Sequence, residues 1–265
     1  MMGRFRSLML TAGLLGPGLI ATLPAAATEL AARVDWGERY TVSTPLAGVV
    51  REIAVRPGDL VESDELLLTL DTRRLQADAR AVEAEIERLR LDLSEAEREV
   101  ERAEELYDRM LIAVRELELA RIQRAMAAAR LARAQAERQR IRVDLEDSRI
   151  RAPAAGRVVS VLVTVGEAIS PALAPPRLAV IGSTDPMRAD ATVDSDTAAV
   201  LRTGQAVGVD IGSGEVREGT ISAIGWEPED IGFGSGYRVE VRFSPPETVQ
   251  LRSGQPARLL LGGQE

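Results

Sequence analysis

No cysteine, histidine or lysine occurs among the 265 residues, and all 33 basic side chains are arginine. Without cysteine there is no disulfide, no thiolate nucleophile and no zinc–sulfur site. Without histidine the commonest general base and metal ligand is missing. Without lysine there is no Schiff base and no lysine-linked cofactor. Acid–base catalysis would fall to aspartate and glutamate alone. Aromatic residues make up only 3% of the chain, which leaves little of the stacking surface that nucleic-acid binders use. The formal net charge is −8, the wrong sign for binding nucleic acid or an anionic membrane surface.

Charge is also scarce at the N-terminus. Arg4 and Arg6 are the only charges in residues 1–27. An apolar run follows them, and Ala25, Ala26 and Ala27 form a small-residue stretch before Thr28. This pattern predicts an export signal, with cleavage before Thr28. The alternative is an uncleaved anchor, since residues 8–27 are long enough to span a bilayer, though Gly16, Pro17 and Gly18 interrupt them. Either reading places the body of the chain outside the cytoplasm.

Two stretches repeat one pattern. Residues 44–61 read TPLAGVVREIAVRPGDLV and residues 152–169 read APAAGRVVSVLVTVGEAI. Pro45, Gly48, Val50, Ile53, Val55, Gly58 and Val61 match Pro153, Gly156, Val158, Val161, Val163, Gly166 and Ile169, always 108 residues apart. Each copy predicts a strand and tight turns, with the four glycines serving the turns. A few short strands cannot bury their own apolar face, so the copies are expected to pair as two halves of one β-module.

Between the copies, residues 59–152 hold no glycine and no proline, which predicts helix. Leu75, Ala79, Val82, Ile86, Leu89, Leu93, Ala96, Val100, Ala103, Tyr107 and Met110 alternate steps of four and three, the spacing of a coiled-coil seam. Asp71 or Thr72 is the expected cap. The phase is lost over residues 110–114, and a second helical stretch, rich in alanine, follows. Residues 72–111 carry 8 arginines and 12 acids, a net −4, and residues 112–149 carry 9 arginines and 6 acids, a net +3. Opposite charge favours pairing of the two arms. One continuous helix of about 75 residues would hold the half-motifs about 110 Å apart. If the halves pair, the insert must fold back near residues 110–115. A long dimeric coiled coil is the competing reading.

After the second copy, residues such as Val207, Val209 and Ile211, or Tyr237, Val239, Val241 and Phe243, alternate as strands should, with glycine-rich turns between them. Ser195 is expected to cap a short helix and Gly204 with Gln205 to form a turn. This part predicts a small antiparallel barrel. Trp36 is expected at the edge of an N-terminal strand, and Trp226 over the barrel. Glu227, Glu229 and Asp230 are read as solvated loop charge in preference to a calcium or acid–base site. The glycine-rich residues 231–237 precede a strand rather than a helix, so a phosphate cradle is not expected there.

The paired stretches resemble the two half-lipoyl motifs of the periplasmic adaptor family, also called membrane fusion or HlyD-type proteins. Lipoyl carriers hold their cofactor on a lysine, which this chain lacks, so no cofactor is expected. Residues 187–211 and the later strands resemble the adaptor β-barrel. The resemblance implies a multidomain α+β chain: a signal peptide or anchor at 1–27, a split lipoyl-like module (barrel-sandwich hybrid) at 40–71 plus 150–187, an antiparallel helical hairpin at 72–149 and a small β-barrel at 188–261. It implies a non-catalytic role in the periplasm, associated with the inner membrane. The implied partners are an inner-membrane transporter (a proton-driven efflux pump or an ATP-driven ABC exporter), an outer-membrane channel and further copies of the chain in a ring.

Channel docking in this family involves the hairpin tip, here Arg109, Met110, Leu111, Ile112, Val114 and Arg115. Arg109 and Met110 resemble the Arg-Leu part of the family's tip motif; Arg115 stands near the place of its serine, and the usual glycine is absent. Ser63, Asp64 and Glu65 replace a turn that usually contains glycine. The resemblance also leads to the expectation that the membrane-proximal domain of many adaptors is missing, since little sequence follows the barrel strands. The alternative function is an envelope coiled-coil scaffold that self-assembles without bridging a transporter.

Overall fold

The computed structural model describes residues 28–262 apart from 173, 213–214, 231–234 and 247–248. The expected export segment, and four of the seven residues read as a glycine-rich turn, lie outside the described residues.

The two repeats fold into one module by exchanging strands. In the first half β3 (Gly48–Ile53) is followed by the short β4 (Leu60–Val61), and in the second β7 (Gly156–Val161) is followed by β8 (Ala168–Ile169). β3 pairs with β8, and β4 with β7. Gly48 faces Ile169 while Gly156 faces Val61, so each pair maps onto the other by the 108-residue offset. The side chains obey the same symmetry. Val50 and Val158, Val55 and Val163, and Val61 and Ile169 are all buried in one core with Leu67, Leu178 and Ile181. A large apolar side chain fully removed from water contributes about 1.5–3 kcal/mol, so neither half can supply this core alone.

The outer strands complete the symmetry. One sheet runs β6-β5-β3-β8, with β5 at Leu66–Leu70 and β6 at Arg149–Arg151; the other runs β2-β9-β7-β4, with β2 at Arg39–Val42 and β9 at Ala179–Gly182. The chain leaves the first sheet after β5 and returns at β6, and the helices fill that gap. It enters the second sheet at β2 and leaves after β9, and the barrel occupies that gap. The module thus has two equivalent exits, one for the helices and one for the barrel.

Gly58 (φ +100°) and Gly166 (φ +89°) occupy turns that demand left-handed backbone. Gly48 and Gly156 differ from the expectation, because both lie in strands. Gly156 is required by close approach: a Cβ there would stand 2.4 Å from the carbonyl oxygen of Gly182. The turn without glycine at Ser63–Glu65 puts Asp64 at φ +68°, a region that Asp tolerates better than most residues.

The helices α1 (Arg73–Asp108) and α2 (Val114–Asp147) pair antiparallel. Ile86, Leu89, Val100 and Ala103 of α1 are buried against Leu117, Ala127 and Ile141 of α2. Two ion pairs cross the interface, Arg121–Glu104 at 2.8 Å and Arg124–Glu97 at 3.9 Å. Both are exposed and worth little individually; the apolar seam carries the pairing. Thr72 is the residue before α1, but its side chain makes no cap bond. Asp71 instead accepts from the backbone N–H of Arg73 at 3.0 Å and from its guanidinium. That guanidinium holds the Asp71 carboxyl at a pKa of about 2.

The remaining strands close a barrel in the order β1-β10-β13-β12-β11-β14. They are β1 (Thr28–Asp35), β10 (Met187–Val193), β11 (Ala206–Asp210), β12 (Val216–Asp230), β13 (Ser235–Phe243) and β14 (Pro256–Leu261). β1 was not assigned to the barrel by sequence, being more than 150 residues from the next barrel strand. It bridges β10 and β14 and removes the open edge. The short helix α3 (Ser195–Val200) is capped by Asp194, which accepts from Thr197 N–H at 2.7 Å, rather than by Ser195.

The hairpin tip as candidate docking site

α1 ends at the tip in a Schellman motif made without glycine. Met110 N–H donates to Tyr107 O at 2.8 Å, and Leu111 N–H reaches back to Leu106 O at 2.9 Å. These two bonds satisfy carbonyls that a helix end otherwise leaves orphaned. The geometry puts Met110 at φ +58°. Leu111, Ile112 and Ala113 then lead into α2, whose first residue is Val114. Five residues, 109–113, therefore separate the helices.

The motif turns apolar side chains outward. Met110 is 93% exposed and Leu111 66%. Val114 is exposed as well, while Ile112 is half-buried. Arg109 is the C-terminal cap residue of α1, and Arg115 stands in the first turn of α2 rather than in the loop. Five of the six residues read from the sequence form one exposed cap, and Ile112 is tucked partly beneath it.

A second apolar feature sits on the barrel. Trp226 is 95% exposed, contrary to the expectation that it covers the barrel. It lies between Ile224 and Pro228, where the pairing register of β12 against β13 shifts as at a bulge. With Ile224, Tyr237 and Leu201 it borders a groove of about 720 Å³ beside α3. Strand direction puts this groove at the barrel end away from the connections to β2 and β9. No composition or spacing signal marks Trp226 as exposed; only the bulge reveals it. Trp36, by contrast, is buried, its ring lying against the Cα of Gly182.

The barrel's outer face also carries a charge network. Asp190 lies 2.9 Å from Arg188 and 3.8 Å from Arg238, and Arg188 also reaches Asp35 at 3.4 Å and Glu240 at 3.7 Å. Burial pushes the Asp190 carboxyl above its ordinary pKa, against the pull of both arginines. Each acid here is bound to arginine, an arrangement that suits a structural tie better than proton transfer. Glu229 is likewise paired with Arg238 at 3.7 Å. Among the described residues no group of acids is placed to hold a metal.

The model of the CzcB-like barrel-sandwich hybrid domain matches residues 38–174. Among solved structures, the membrane fusion protein Spr0693 from Streptococcus pneumoniae R6 aligns with a TM-score of 0.71 at 19% identity, over 89% of this chain and 100% of that one. MacA from Actinobacillus actinomycetemcomitans gives 0.59 at 16% identity, over 89% of this chain and 78% of that one. ZneB from Cupriavidus metallidurans gives 0.55 at 22% identity, over 89% and 98%. At these identities the likeness is one of fold. No curated protein sequence matches the chain. The family match takes in both half-motifs and the helices between them, just over half of the sequence, and the chain belongs to the CzcB-like barrel-sandwich hybrid family.

Proposed function

We propose that the chain is a non-catalytic adaptor of the periplasm, associated with the inner membrane, which links an inner-membrane efflux or export transporter to an outer-membrane channel. The observation that carries this reading is the exposed apolar cap of Met110, Leu111 and Val114 at the far end of a paired helix. A 36-residue helix reaches about 54 Å from its base. A stiff rod with an apolar end is suited to meeting a partner at a distance.

In this reading the four parts divide the work. Residues 1–27 export or anchor the chain. The lipoyl-like module, 40–71 plus 150–187, is the rigid joint. The hairpin, 72–149, reaches the outer-membrane channel through Arg109, Met110, Leu111, Ile112, Val114 and Arg115. The barrel, expected at 188–261 and completed by β1, meets the transporter, either a proton-driven pump or an ATP-driven exporter. Copies of the chain form a ring around the substrate path, and the chain itself performs no chemistry. The absence of histidine, cysteine and lysine supports that last point.

The test is a deletion strain carrying either the natural chain or Leu111→Glu, challenged with a panel of dyes and divalent metal salts. The reading predicts that Leu111→Glu is folded and abundant yet as sensitive as the deletion. Full resistance with a charged tip would remove the docking role.

A further inference from the structure

We infer that the groove beside α3 binds a soluble amphipathic organic anion, a molecule with a compact apolar skeleton and one carboxylate or sulfate. The inference goes beyond the bridging role and does not depend on it.

The groove has the size and walls of a small-molecule site. Its volume of about 720 Å³ falls within the roughly 300–1,000 Å³ usual for such sites. Leu201, Ile224, Trp226 and Tyr237 supply apolar and aromatic wall. Leu201 is buried, and Ile224 and Tyr237 are half-buried against the barrel core, which holds them in place. Trp226 is different: it is the most exposed large apolar side chain among the described residues. An indole buries on the order of 150–250 Å² when covered, and no other described residue covers this one. A ligand lying in the groove would.

Polar chemistry selects the ligand. Ser195, Arg202, Thr203 and Tyr237 line the groove with one guanidinium and three hydroxyls. None of these side chains has a hydrogen bond or ion pair among the described residues. The lining includes no carboxylate, although acids outnumber basic residues 41 to 33 in the chain. An aromatic wall can stack on an organic cation, but here Arg202 would repel one and no acid would neutralise it. An anion instead gains the planar fork of the guanidinium, which matches a carboxylate or sulfate, with hydroxyl donors beside it. Glu227 and Glu229, exposed just after Trp226 in β12, favour a single molecule over a membrane. A surface of anionic lipid would meet both carboxylates, whereas a molecule seated in the groove meets a lining whose only charge is Arg202.

The probe is cholate below its micelle concentration, with its uncharged methyl ester as control. Of the two tryptophans Trp36 is buried, so the emission of the purified full-length chain reports on Trp226. Equilibrium dialysis measures affinity independently. The inference predicts a saturable blue shift with cholate. Binding should be about tenfold or more weaker for the ester and for Arg202→Gln, whose circular dichroism should match that of the natural chain. Equal affinity for cholate and its ester, or for the natural chain and Arg202→Gln, would overturn the anion assignment. Tighter binding of the cation rhodamine 6G would overturn it as well. Binding only to vesicles containing phosphatidylglycerol would put a membrane on the groove in place of a soluble ligand. No saturable binding in either assay would remove the site. Each outcome is read on the purified chain alone, so a failure here leaves the bridging role untouched.

Discussion

The backbone N–H of Gly58 donates to Val158 O at 2.8 Å, and the bond recurs 108 residues on, from Gly166 to Val50 O, also at 2.8 Å. The turns repeat too: Arg56 N–H donates to the Asp59 carboxylate and Thr164 N–H to that of Glu167, each at 2.8 Å. Each half therefore closes its turn on the other half's strand. This crosswise pairing makes the halves inseparable, although most of the chain between them is helix.

The symmetry breaks at one pair of glycines, and stability should report it. A Cβ on Gly48 meets only the side chain of Leu70, at 3.4 Å, whereas one on Gly156 meets the backbone of Gly182. Gly156→Ala is expected to cost about 1–3 kcal/mol through overpacking. Gly48→Ala should stay within about 1 kcal/mol of the natural chain. Urea unfolding of both variants measures the difference.

The tip turn carries removable strain. Met110 occupies left-handed backbone, which costs a side-chain-bearing residue roughly 1–2 kcal/mol. Part of that relief is lost to the greater freedom of glycine when unfolded. Met110→Gly should therefore stabilise the hairpin by up to about 1 kcal/mol, and Met110→Val should destabilise it. Thermal melting followed by circular dichroism distinguishes the two directions. Because Met110→Gly also removes an exposed apolar group, it should weaken docking while raising stability, a combination that a purely structural tip would not give.

The base of the hairpin should be acid-sensitive. Asp71 is held at a pKa of about 2 by Arg73, below the ordinary value of about 3.9. A carboxylate depressed in the folded state stabilises above its unfolded pKa and loses that contribution as pH falls through the folded one. The natural chain should thus exceed Asp71→Asn in melting temperature at pH 6, and the two curves should converge between about pH 4 and 2. A constant gap across that range would assign the effect to something other than the carboxylate charge.

The sequence reveals most where local chemistry and tertiary structure agree. The half-lipoyl repeat is legible because Val50, Val55 and Val61 and their counterparts keep strand and turn spacing in both copies. The seam of α1 is legible for the same reason, its apolar residues facing one partner. Two features were hidden, and a third was placed without its chemistry. The fold-back near residues 110–115 is legible from the lost phase, but no glycine marks the turn, since Met110 takes the left-handed position. Strand β1 joins the barrel through partners far away in sequence. Trp226 looks like a cover in composition, yet a bulge in β12 turns it to solvent. Ser195 gave way to Asp194 because the carboxylate one residue earlier is the group positioned to accept from Thr197.

The most direct test of the bridging account is photo-crosslinking in living cells from two sites, Leu111 at the tip and Trp226 on the barrel, each replaced by a photoreactive residue. The account predicts that Leu111 captures an outer-membrane channel and Trp226 an inner-membrane transporter, within the same cells. If both sites capture only further copies of this chain, bridging is contradicted, and a self-assembling envelope scaffold becomes the reading that fits.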